Sequence, residues 1–156
     1  MLAIQYIHPI VVHFPIVLII LLAGFDLIAA LRGAAISGRT TAGHIAASFA
    51  VLAGLSALTA AFFGDIALEH AEAGGFSSGI AEIHEHFGEI AAVALAGWAL
   101  IRVFFWWRDI RLSGGGALVT ALISIAGAAL VTTTAYYGGQ LVYDLGVNVL
   151  KTTAGG

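Results

Sequence analysis

Histidine is the residue type with the most to offer chemically in this chain. Six are present, at positions 8, 13, 44, 70, 84 and 86, and there is no cysteine. Imidazole can hold a haem iron axially or bind zinc, copper or iron directly. The lack of cysteine removes disulfides, thiolate ligands, iron–sulfur clusters and covalent c-type haem attachment. His13 lies about one turn inside an apolar segment, where an imidazole needs a polar partner or a ligand role. His8 and His70 fall at segment boundaries and suit anchors or caps. In His84-Glu85-His86 the two rings point in different directions on a helix, so one is expected to face inward. Glu89 shares a face with His86.

Three functional classes use this set. In the leading one the protein is a cytochrome-like electron-transfer or redox-accessory protein with one b-type haem. His13 and either His86 or His84 take the axial positions, and Asp65 or Glu89 orients a ligand through its second ring nitrogen. Bis-histidine ligation leaves no open iron position, which favours one-electron transfer over substrate chemistry. In the second class His8, His13, Asp65, His70, His84, His86 and Glu89 supply a non-haem site for zinc, copper or iron. In the third the histidines and acids satisfy one another in a structural subunit of a membrane complex. An independent enzyme is not expected: there is no His-Glu-x-x-His helix, and Ser113 to Gly116 lacks the lysine of a phosphate loop.

The elements that position these residues follow from composition. Hydrophobic residues make up 60% of the 156, and charged ones 10%, against roughly 25% in a soluble domain. Apolar runs near 10–31, 44–68, 84–107 and 117–143 are each long enough to span a bilayer. The chain therefore reads as an all-α, four-transmembrane-helix bundle, an integral membrane protein with one domain over 1–150 and a tail at 151–156. Pro9 suits a first helical turn, and Pro15 removes a backbone bond and bends the first span. Small residues such as Ala46, Ala47, Gly54 and Ala57 allow close packing in the second. The longest connection is expected from Glu69 to Glu82, and Gly138 to Val147 to prolong the last helix or re-enter the protein surface.

Helical rise fixes depth. His8, His13, His70, His84 and His86 fall in one slab with Asp65, Glu69 and Glu89, and Asp26 and Arg102 share a second level, where a buried structural ion pair is expected. Arg32 and Arg39 follow the first span, and Arg108 and Arg111 the third. The positive-inside rule assigns that side to the cytoplasm, so both termini and the histidine layer face outward, with Lys151 as a lone countersignal. The N-terminus has no basic region or cleavage signal, so the first span is expected to be retained. Six scattered basic residues cannot build a nucleic-acid face. The expected partners are the lipid bilayer, a quinone or redox membrane subunit, and a second copy of the chain.

Two motifs carry a family resemblance. His8-Pro9-Ile10-Val11-Val12-His13-Phe14-Pro15 and Gly138-Gly139-Gln140-Leu141-Val142-Tyr143-Asp144-Leu145-Gly146-Val147 resemble the opening and closing motifs of a bacterial membrane-protein family, domain of unknown function 2231. The resemblance implies a compact four-helix domain, multi-pass in the bacterial inner membrane. It also implies functional weight for His8, His13 and one histidine at the start of the third span, either His84 or His86. It supplies no reaction.

Overall fold

A computed structural model describes residues 6–147 and 149. Lys151 and the expected tail at 151–156 lie outside the described residues. Helices α1 (His8–Val11) and α2 (His13–Leu31) form one span, followed by α3 (Thr41–Ala73), α4 (Gly79–Trp107) and α5 (Gly115–Tyr143). The break at Val12 has a local cause, because Pro15 has no N–H to return to the Val11 carbonyl. All four spans are long and apolar enough to cross a membrane.

Helix ends are set by caps rather than by the first charged residue. Acids and His70 do not stop α3, which runs on to Ala73 and ends at Gly74 and Gly75. Ser78 then opens α4 by accepting the Ile80 N–H. The connection between the second and third spans is therefore shorter than the polar sequence suggests. At the other end Thr40 caps α3 through Gly43 N–H. The closing motif continues α5 as helix to Tyr143.

Each long helix packs on two neighbours, α2 on α3 and α5, and α4 on the same pair. Packing is inverted relative to a water-soluble bundle. Many large apolar side chains such as Phe14, Ile20, Leu55, Phe62, Leu100 and Leu122 face outward, while the centre is filled by alanines, a few larger apolar residues such as Ile19, Leu22 and Leu95, and a few polar groups. That distribution suits a lipid solvent, where association depends on close contact rather than on hydrophobic drive. Gly54 marks a close approach of α3 to α4, since a Cβ there would meet the Ala99 Cβ at 3.1 Å.

The bundle is an internal duplication. A shift of 76 residues, the separation of Asp26 and Arg102, carries the buried positions of α2 (Pro15, Ile19, Leu22, Ala23, Asp26) onto Ala91, Leu95, Trp98, Ala99 and Arg102 of α4. A shift two residues shorter carries Gly43, Ala46, Ala47, Ala50 and Ala57 of α3 onto Ala117, Thr120, Ala121, Ser124 and Val131, the buried residues of α5. The helix stops repeat too: Gly33 and Asp109 both take positive φ, 71° and 51°, and each continues the same terminal turn. Two α-hairpins are thus related by an approximate two-fold axis along the bundle, a parallel repeat of the kind that membrane folds use.

On that axis lies a buried ion pair. Asp26 and Arg102 are 0% and 1% exposed. Arg102 donates Nη1 to Asp26 Oδ2 at 2.6 Å and Nη2 to Oδ1 at 3.2 Å. Nη2 also donates to the Ile36 carbonyl at 2.8 Å. Ser124 donates to Asp26 at 2.7 Å and accepts from Trp98 Nε1 at 3.1 Å. The loop beyond is fastened by Ile36 N–H to the Leu112 carbonyl and by Ser37, which donates to the Ile110 carbonyl and accepts from Leu112 N–H.

Removing one partner strands the other charge. Asp26→Ala or Arg102→Ala should each cost about 3–5 kcal/mol, whereas Asp26→Leu with Arg102→Met should cost less than either, read from reversible unfolding in mixed micelles. A double variant as damaged as the two single costs combined would deny the pair its role in joining the helices.

The exposed loop clamp gives a pH signature. The Arg111 guanidinium beside Asp109, and then the Arg39 backbone N–H at 2.7 Å, hold the Asp109 carboxyl below its ordinary range. A depressed carboxyl stabilises the clamp above its unfolded-state value and loses that contribution as pH falls through the folded one. Hydrogen-exchange protection at Arg39 should therefore fall at acid pH, and Asp109→Asn should show the lower protection at neutral pH already.

Candidate functional site

The end of the bundle remote from the arginine loops contains a cavity of about 500 Å³, within the range of roughly 300–1,000 Å³ usual for small-molecule and cofactor sites. Its wall is mostly alanine, glycine and aliphatic side chains, among them Val12, Ile16, Ala57, Ala92 and Val131. His8 and His84 enter it from the diagonal helices α1 and α4, with ring centroids 6.1 Å apart and planes at 81°.

Each ring is held in the same way by the helix beside it. His8 Nδ1 lies 2.9 Å from the Ala60 carbonyl of α3, and His84 Nδ1 lies 2.9 Å from the Thr134 carbonyl of α5. A carbonyl only accepts, so Nδ1 carries the proton and donates it; in the neutral ring Nε2 keeps its lone pair. One turn on from each carbonyl stands a glycine. A Cβ on Gly64 would lie 3.0 Å from His8 Cε1, and one on Gly138 would lie 2.9 Å from His84 Cε1. The duplication accounts for the match, because His8 maps to His84, Ala60 to Thr134 and Gly64 to Gly138.

The other histidines are placed differently. His13, five residues from His8, is exposed at the cavity rim, because that spacing turns its side chain well away from the His8 face. His86 is exposed beside Phe87 and does not line the cavity. Of the histidines singled out in the sequence, the structure brings His8 and His84 together and leaves His13 and His86 apart from them. His70 is exposed near the end of α3, and Asp65 and Glu89 line the rim as exposed carboxylates. His44 sits at the arginine end, with Nδ1 2.7 Å from the Thr40 carbonyl and its ring edge-on to Trp106. Among the described residues, no group of three or more His, Cys, Asp or Glu side chains comes together to hold a metal ion.

A family model described as a predicted membrane protein (DUF2231) matches residues 5–151. The chain belongs to the DUF2231 family. The match takes in both helical hairpins, so the duplication and its paired histidines lie inside the DUF2231 domain. No curated protein and no solved structure matches the chain.

Sequence reasoning passed over Gly64 and the carbonyls of Ala60 and Thr134, met Gly138 only as the start of the closing motif, and left His8 out of the haem pair, as an anchor or a non-haem metal ligand. One signal would have found the pair. His8 precedes Asp26 by the same five turns that separate His84 from Arg102, which marks both histidines as equivalent positions on inward faces.

Proposed function

We propose that this membrane protein is an electron carrier or redox-accessory subunit in which His8 and His84 hold one b-type haem. The observation that carries this reading is the ring separation. Two imidazoles on opposite sides of one metal, each with a metal–nitrogen bond of about 2 Å, have centroids about 6 Å apart, and here they are 6.1 Å apart. Both rings donate from Nδ1 and keep Nε2 for a ligand bond, the arrangement that fixes the tautomer and raises the basicity of metal-bound histidine.

The donor set favours haem over a bare ion. A porphyrin brings four equatorial nitrogens, so two protein ligands suffice, whereas zinc or copper would need further donors from the chain. When bound, haem b supplies a one-electron ferric/ferrous couple. His8 and His84 would hold the group through their Nε2 atoms, and the alanine-rich wall would keep water from it. A membrane quinone or a redox subunit is the matching partner class.

A second reading rests on the same contacts. Each imidazole is already bonded to a carbonyl of a neighbouring helix, and the rings meet edge to face, so the pair also serves as a cofactor-free clasp in a structural subunit. Protein purified from haem-replete cells and assayed as the pyridine haemochrome separates the two. The haem reading expects one haem per chain, cut at least about tenfold by His8→Ala or His84→Ala and kept by His13→Ala and His86→Ala. Folded protein that takes up no haem even on reconstitution would leave the clasp.

The arginine loops set the proposed orientation, with the cavity end outward in a bacterial inner membrane. The chain has no cysteine, so single cysteines report cleanly. A membrane-impermeant maleimide added to intact spheroplasts should label Ser77→Cys and spare Ser113→Cys until the membrane is opened; the reverse pattern would invert the topology.

A further inference from the structure

The geometry points to Gly64 and Gly138 as positioning residues that set the angle between the two imidazole planes, an inference that rests on the haem reading above. Three observations converge on them. Each glycine lies one helical turn beyond the carbonyl that receives its histidine's Nδ1–H. At each, a Cβ would approach the ring to 3.0 Å or less, with Nδ1 at 3.2 or 3.3 Å. Neither is required for backbone conformation, since both sit inside regular helix and neither takes positive φ.

A mid-helix glycine weakens its helix relative to alanine, so two of them at equivalent points need a local reason. The imidazole ring supplies that reason. With no Cβ in the way, each imidazole lies against the backbone of α3 or α5, close enough to reach the carbonyl. Ala60 and Thr134 belong to helices on opposite sides of the two-fold axis, and the rings bonded to them stand at 81°. Methyl groups at 64 and 138 would push each ring off its carbonyl and free it to turn. Small residues at these points therefore specify a near-perpendicular bis-imidazole pair, beyond merely leaving room for it.

Ring orientation has a spectroscopic readout that packing alone does not move. Ferric haem between perpendicular imidazole planes gives a highly anisotropic low-spin EPR signal, and parallel planes give a rhombic one. The wild-type protein with haem should show the first. Gly64→Ala and Gly138→Ala should convert it towards the rhombic form or lower haem content severalfold, with helical circular dichroism unchanged. Gly97→Ala serves as a control, because a Cβ there meets nothing within 4 Å and the residue does not line the cavity.

The haem-free protein provides the independent arm. With 15N-labelled histidine above neutral pH, His8 and His84 should both appear as the Nδ1–H tautomer, and Gly138→Ala should abolish that signature for His84 alone. A wild-type rhombic signal in haem-loaded protein would overturn the positioning role while leaving haem binding intact. Protein that binds no haem but loses the His84 signature in Gly138→Ala would sink the haem reading and keep the positioning role. Alanine at both sites with unchanged EPR and unchanged tautomers would overturn it outright.

Discussion

Within a bilayer the apolar exteriors of these helices give them no reason to associate, and the Asp26–Arg102 pair supplies one. Two opposite charges without water between them leave little choice: a helix that slid or rotated would strand a carboxylate or a guanidinium in an apolar medium. The pair joins α2 and α4, the diagonal helices whose backbones do not pack on each other. It fixes their relative height and rotation, and Ser124, Trp98 and the Ile36 carbonyl occupy the remaining polar capacity. His8 and His84 stand five turns away on the same two spans. Their register is therefore set in part from the far end of the bundle.

The duplication explains why one axial position holds unlike residues and the other like ones. On a two-fold axis, equivalent residues face each other. Two aspartates or two arginines deep in the bundle would repel with little screening, so a charged position there is stable only when the copies have opposite signs, as at 26 and 102. Neutral imidazoles carry no such penalty. A pair of identical histidines can persist, and identity is an asset where two equivalent donors are to address one central ligand.

The sequence made the scale of the fold plain and left its azimuth hidden. Apolar run length gave four spans, because bilayer thickness dictates it. Rise per residue put Asp26 level with Arg102 and gathered the histidines into one slab. Depth, however, does not say which way a side chain points. His13 looked the better ligand because it lies deeper, yet it faces outward at the rim, and His8 at the segment boundary faces the centre. Boundaries drifted for a related reason: charged residues at a membrane surface are solvated and leave a helix intact, so α3 ended at its glycines and not at its acids. The glycine contacts were illegible because a missing side chain carries meaning only once its neighbour across the helix interface is known.

Charge placement bears on how the cavity is read. Asp65, Glu85 and Glu89 line it but are exposed, and the other carboxylates at this end lie along the same helix termini and the adjoining turns. Exposed carboxylates keep their hydration and stay accessible to water, which makes them a solvated rim of the cavity. The two half-buried imidazoles, each with one nitrogen committed to backbone, are the donors left facing an apolar interior. A cofactor suited to that interior must be largely apolar, must bring most of its own ligands, and must accept two nitrogens from opposite sides. Those three requirements come from the wall, the donor count and the two-fold axis in turn.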